Sequence, residues 1–304
     1  MQAQFPLVYK CNTQSLESEL AFITHSRMSL DMKTINSSIA AAFLAMTAVG
    51  PASAGPSSIN LPEINAEIVQ GWTRSDGSMV GALHISMDGG WKTYWRTPGD
   101  GGIPPRMDWS QSRNLSGLSA LWPAPEVFVE NGMTSFGFVD DLFLPIVVTP
   151  RKDGRDVDLN GFLQIGVCKE ICVPYALDVA GTLDASQTKV VAPIAAAMAE
   201  QPYSATEAQV RDISCRIAST NDGMAIKATI DMPSAGGREF AVIETGNLEL
   251  WVQEAKVSRE GRTLTVASDV LHVDGAPFFL QRSEMTITVL GSDYAVEIKG
   301  CQAG

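Results

Sequence analysis

Two cysteines four residues apart, Cys168 and Cys172, are the side chains of this sequence best placed to do chemistry. They lie in the stretch Gly166-Val167-Cys168-Lys169-Glu170-Ile171-Cys172-Val173-Pro174, in a chain of 304 residues with only five cysteines. Three uses fit the spacing. The pair could be a structural staple, although so small a loop recovers little chain entropy. It could be a soft ligand pair for monovalent copper, although two thiolates are a sparse site. It could be a redox couple that exchanges electrons with another protein, since a tight and accessible disulfide is the labile kind.

The elements that must position the pair read as strands. Val157, Leu159, Leu163, Ile165 and Val167 precede it, and Val173, Tyr175, Leu177 and Val179 follow, both runs with a period of two. Cys168 falls in phase with Gln164 and Gly166, and Cys172 with Pro174 and Asp178, so both thiols are expected off the apolar face, open to solvent or a partner. A fully extended chain would hold their Cα atoms roughly 13 Å apart, whereas a disulfide needs about 4.4–6.8 Å. Lys169-Glu170-Ile171 must therefore turn. Strand flanks supply no helix dipole to stabilise a thiolate, and Lys169 is offset by Glu170. The pair is thus expected to work as a relay attacked by a partner's thiolate, rather than as the attacking group.

The beginning of the chain reads as targeting. Ile39 to Val49 is a short alanine-rich apolar run, with Lys33 before it and Ala52-Ser53-Ala54 after it, which is the pattern of a secretory signal peptide. Residues 1–54 are read as an over-extended start, with Met28 or Met32 the natural one, plus that signal. The mature chain is expected to begin at Gly55, without Cys11. No later apolar run reaches the roughly 18 residues that a membrane span needs. The leader carries three basic and three acidic residues, so the formal charge stays at −12 without it. Such an acidic chain repels nucleic acid and anionic lipid, and neither is an expected partner. Export implies an oxidising compartment, in which the four remaining cysteines can pair.

Short alternating runs bounded by Gly, Pro, Asn and Asp dominate the rest, so the fold class is expected to be all-β, with one sandwich following another. The first module spans 55–188 and holds five of the six tryptophans: Trp72, Trp91, Trp95, Trp109 and Trp122. These are read mainly as core, with a docking surface beside the thiols as the other use of aromatic rings. Within Phe143 to Val148, Pro145 points to an edge strand or a bulge. A helical linker, Val191 to Glu200 within 189–204, leads to the second module at 205–304. Cys215 lies near its first strand and Cys301 near its last, which predicts a structural disulfide between them. The other histidines of the mature chain, His84 and His272, have no spacing that ties them to the thiol pair.

Four ordered motifs give the first module a family resemblance. They are Gly90-Trp91-Lys92-Thr93-Tyr94-Trp95-Arg96-Thr97-Pro98-Gly99-Asp100, Trp122-Pro123-Ala124-Pro125-Glu126, Asp140-Asp141-Leu142-Phe143-Leu144-Pro145 and Val167-Cys168-Lys169-Glu170-Ile171-Cys172-Val173-Pro174. Over about Ser57 to Leu183 the module resembles the N-terminal periplasmic domain of the thiol:disulfide interchange protein DsbD. It is closer still to the variant in ScsB-like copper-tolerance proteins, which share the short gap between the cysteines. The resemblance implies an immunoglobulin-like β-sandwich with Cys168 and Cys172 as its redox pair; no cofactor or metal is expected. It implies Tyr94 as an aromatic beside the pair, with Trp91 in a similar position. Glu130 falls in the segment that matches a cap loop over the cysteines. DsbD has an aromatic residue there, and Met133 or Phe136 is the nearest candidate here. DsbD continues into a membrane electron carrier and a thioredoxin-like domain. The sequence ends at Gly304 before either, so a separate membrane or thioredoxin-fold protein is the expected donor, and oxidised periplasmic proteins the expected acceptors.

Overall fold

A computed structural model describes residues 62–304. The expected signal peptide and the start at Gly55 fall outside the described residues. In chain order the first half contains β1 (Ile64–Thr73), β2 (Met79–Met87), β3 (Lys92–Gly99), β4 (Arg106–Asp108), β5 (Leu115–Ala120), β6 (Glu126–Glu130), β7 (Met133–Val139), β8 (Asp141–Pro150), β9 (Val157–Cys168) and β10 (Cys172–Leu183). Then come α1 (Ala192–Ala199), β11 (Tyr203–Ser204), β12 (Asp212–Ser219), β13 (Met224–Asp231), β14 (Phe240–Glu244), β15 (Leu250–Val252), β16 (Lys256–Glu260), β17 (Thr263–His272), β18 (Thr286–Leu290), β19 (Ala295–Lys299) and β20 (Gln302–Ala303).

The first ten strands form two facing sheets, ordered β1-β2-β8-β5 and β10-β9-β3-β7-β6, with β4 on β9. Alternation decides what fills the space between them. Leu83, Ile85 and Met87 of β2 and Leu142 and Leu144 of β8 meet Leu163, Ile165 and Val167 of β9, all buried. The period of two read from the residues before Cys168 is the period by which β9 turns its apolar side inward. Pro145 does not mark an edge, because β8 lies between β2 and β5. The proline is tolerated because its carbonyl accepts from Leu121 just past the end of β5, so its missing N–H faces a place where the partner strand has stopped. The helix read at 191–200 is α1. Its buried Ile194 packs with Val80 and Ala82, on the face of the β1–β2–β8–β5 sheet turned away from the inter-sheet core.

The second sandwich pairs a sheet ordered β11-β19-β18-β14 with one ordered β15-β17-β13-β12-β20, to which β16 adds on β17. Ile226, Ala228 and Ile230 of β13 and Leu264 and Val266 of β17 pack against Ile287, Val289, Val296 and Ile298 from the other sheet. The all-β, two-sandwich architecture expected from the sequence is the one observed. Cys215 and Cys301 are joined, with their Cα atoms 5.7 Å apart, where the parallel pairing of β20 with β12 brings the end of the second sandwich to the first of its long strands.

The sandwiches meet along β3. Trp95, fully buried, packs with Phe136 of the first and with Val242, Leu290 and Ala295 of the second. Beside it the Arg96 guanidinium lies 4.1 Å from the Trp95 ring, takes Glu244 through two nitrogens at 2.8 and 2.9 Å, and reaches Glu297 at 2.7 Å. A charge this far from water is tolerable because its planar fork is matched by two carboxylates. Thr97 adds a hydrogen bond to Glu244 at 2.8 Å.

The Cys215–Cys301 bridge spans a sequence separation of 86 residues, so it restricts the unfolded chain strongly. Cys301→Ser is expected to lower the unfolding free energy by about 2–5 kcal/mol, measured by urea denaturation of the oxidised protein. A loss under about 0.5 kcal/mol would show that the bridge has no structural role.

Candidate functional site

The thiol pair sits at the tip of the β9–β10 hairpin. These strands pair without a break from Val157 opposite Leu183 to Cys168 opposite Cys172. The residues between them turn as the spacing required, with the Lys169 N–H donating to the Ile171 carbonyl at 3.0 Å. Cys168 and Cys172 are joined as a disulfide with Cα atoms 4.1 Å apart. Lys169 reaches back from the turn to donate to the Gly89 carbonyl at 2.8 Å, so its ammonium is held away from the sulfurs' own strands.

The two sulfurs are not equivalent. Cys172 is exposed, whereas Cys168 is 1% exposed, which corrects the expectation that both thiols lie open. Phase along β9 does place Cys168 off the inter-sheet core, but that outer face is covered. Tyr94 of β3 lies over it, with its hydroxyl 2.8 Å from Cys168 Sγ and 3.4 Å from Cys172 Sγ. The segment after β3 completes the cover. The Gly101 carbonyl accepts from the same hydroxyl at 3.2 Å, and Ile103 lies so close to Gly166 that a Cβ there would come within 2.6 Å of the isoleucine Cβ. Glycine at 166 is what lets the loop lie down beside Cys168.

Register explains why Tyr94 arrives there. Lys92 and Thr93 pair with Cys168 and Val167, so the Lys92 and Tyr94 side chains share the outer face with the disulfide. Lys92 is buried and bonds Glu130 at 2.8 Å while lying 4.6 Å over the Phe128 ring. Burial, and then the negative charge of Glu130, push the Tyr94 hydroxyl above its ordinary value of 10.0. The group is therefore a neutral donor throughout the physiological range, able to bond a sulfur that carries charge.

Trp91 takes a different place from the one expected beside the pair. It packs in the inter-sheet core with Leu83, Met87 and Val167, beneath the strand that presents Tyr94. Glu130 ends β6, and Asn131 and Gly132, both at positive φ (52° and 80°), make the two-residue turn into β7. Of the two candidate cap residues, Phe136 is buried against Trp95, and Met133 is half exposed at the start of β7. The cover over Cys168 comes instead from Tyr94 and the loop around Gly101 and Ile103. Two signals for this were in the sequence, the Pro98-Gly99-Asp100-Gly101-Gly102 run and Gly166, but neither names its partner. Among the described residues imidazole is not brought to the sulfurs, since His84 lies between Glu67 and Asp141, and His272 accepts from the Asp274 N–H. Among the described residues no cluster of three or more metal-ligating side chains occurs.

Tyr94→Phe removes the donor at Cys168 and leaves the ring. In the reduced protein Cys168 is expected to react several-fold more slowly with iodoacetamide at neutral pH in the variant, because its thiolate loses a hydrogen-bond donor. Tyrosine ionisation has its own signature. Because the folded-state value is raised above 10.0, stability is whole below the unfolded value and falls as pH climbs through the window above it. That alkaline loss, followed by thermal melting, is expected to be smaller in Tyr94→Phe.

Comparison with known proteins bears on this site directly. Residues 65–183 match the family model described as thiol:disulfide interchange protein DsbD, N-terminal. No curated protein matches the chain. Among solved structures, the N-terminal periplasmic domain of ScsB from Proteus mirabilis is similar with a TM-score of 0.58 and 21% identity, over 79% of this chain and 92% of that one. The β9–β10 hairpin, Tyr94 and the cover loop all fall inside the matched segment, so the resemblance read from the four motifs holds: the first sandwich is similar to the DsbD N-terminal family, and the two-sandwich chain shares its fold with the ScsB domain.

Proposed function

We propose that the chain is a periplasmic thiol:disulfide oxidoreductase component that relays reducing equivalents through Cys168 and Cys172. Its donor is a membrane electron-transfer or thioredoxin-fold protein, and its acceptors are oxidised periplasmic proteins. The family description of residues 65–183 and the periplasmic ScsB domain support this reading. No helix of the described residues is long and apolar enough to cross a membrane. The observation that carries the mechanism is the asymmetry of the pair, with one sulfur open at the turn and the other buried against a neutral hydroxyl.

The donor's thiolate attacks Cys172 Sγ, the sulfur it can reach. The S–S bond breaks, and Cys168 Sγ leaves with the electron pair as a thiolate that the Tyr94 O–H stabilises. The donor's second thiol then displaces Cys172 from the mixed disulfide. The donor ends as a disulfide and this chain as a dithiol, so two electrons and two protons have moved. The onward step is the same exchange reversed: Cys172 attacks a target disulfide and Cys168 resolves the intermediate. The protein's contribution is orientation and a preorganised donor for the leaving sulfur, with no cofactor called upon.

Cys168→Ser leaves the open thiol without its resolving partner and is expected to accumulate a mixed disulfide with a thioredoxin-fold protein. Cys172→Ser is expected to trap at least about tenfold less, because reaching Cys168 requires local opening. The companion measurement is the reduction potential of the wild-type pair against glutathione. A value below about −300 mV, where structural disulfides sit, would sink the relay.

A further inference from the structure

β15 and β16 run along the same edge of β17, but they are not one continuous strand. Val252 pairs with Val270 and Lys256 with Ala267, so residues 253–255 stand opposite only 268 and 269. One extra residue makes a β-bulge, a feature that re-aims a side chain. The bulge is firmly seated. Gln253 N–H donates to the Asp269 carbonyl at 3.0 Å, the Ser268 hydroxyl donates to the Gln253 carbonyl at 2.7 Å, and Ala255 packs on the second core. At its apex is Glu254, which faces the first sandwich.

Glu254 holds the hairpin beside the redox pair. Its carboxylate accepts from the Thr134 hydroxyl at 2.6 Å. Thr134 is 3% exposed and belongs to the β6–β7 hairpin that carries Glu130, so this hydroxyl has little access to water in place of Glu254. The loop after β3 rests on the same hairpin: a Cβ at Gly99 would meet the Thr134 carbonyl oxygen at 2.5 Å, and one at Gly101 would lie 3.6 Å from the Met133 Cβ. Asp100 immediately precedes Gly101, whose carbonyl holds the Tyr94 hydroxyl over Cys168. Burial, then the nearby Glu254 charge, raise the Asp100 carboxyl above its ordinary value.

We propose that Glu254 is a positioning residue for the redox pair: from the second sandwich it latches the β6–β7 hairpin at Thr134, on which the loop covering Cys168 rests, so that only Cys172 meets a partner. This gives the second sandwich a role in the chemistry of the first, and it rests on the relay reading for its purpose. The latch itself concerns access to a sulfur and needs no partner to be seen.

The test is alkylation of the pair in the reduced full chain by iodoacetamide, followed site by site by peptide mass. Glu254→Ala and Thr134→Val are each expected to raise the Cys168 rate about tenfold, the factor for losing one hydrogen bond to a charged group, with the Cys172 rate unchanged. The double variant is expected to add nothing further, because both changes break the same bond. Glu254→Gln keeps an acceptor for the Thr134 hydroxyl, so it is expected to stay near the wild-type rate. An unchanged Cys168 rate in both single variants overturns the latch, as does an equal rise in Glu254→Gln or a rise shared by Cys172. A failed capture of thioredoxin-fold proteins by Cys168→Ser would count against the relay and leave this result standing.

Discussion

The pairing of Lys92 and Thr93 with Cys168 and Val167 is the constraint on which the site depends. Once β3 lies in that register beside β9, alternation sends Trp91 into the core and puts Lys92 and Tyr94 on the face that holds the sulfurs. A slip of one residue would exchange those faces and leave the disulfide without its hydroxyl. The same strand continues into Trp95, Arg96 and Thr97, which fasten the second sandwich. One short strand thus sets the electrostatics of the thiols and the attachment of the neighbouring module.

That double duty explains why charge is tolerated so close to the interior. Lys92 and Arg96 are both withdrawn from water, and each is met by a carboxylate at hydrogen-bond distance. Neither cation is free to act on the disulfide, and the group left facing the sulfurs is the neutral tyrosine. The pair is held on strands rather than at a helix N-terminus, so no helix dipole acts on its sulfurs.

What the sequence disclosed follows from the range of the interactions. The alternation of Val157 through Val179 fixed the hairpin and its turn, because strand phase is a local property. The cysteines at both ends of the second module marked a pairing that the topology made natural. The burial of Cys168 was not legible, since it depends on Tyr94, Gly101 and Ile103, which lie far from it in sequence. Pro145 misled for a related reason: whether a missing N–H matters is decided by where β5 stops. Glu254 carried no signal at all, because its importance comes from a bulge seen only once β15 and β16 are both laid on β17.

The unbroken ladder of β9 and β10 bears on time as well as geometry. Twelve consecutive residue pairs hold the hairpin together without help from the sulfurs, so reduction releases the covalent link and leaves the two thiols opposite one another. Each then sees the other at a high effective concentration, and an internal attack competes with any outside reagent. A mixed disulfide formed on this hairpin is therefore short-lived, dissolved by its own neighbour unless the second thiol of the bound protein acts first. The lifetime of that encounter is written into the strand register.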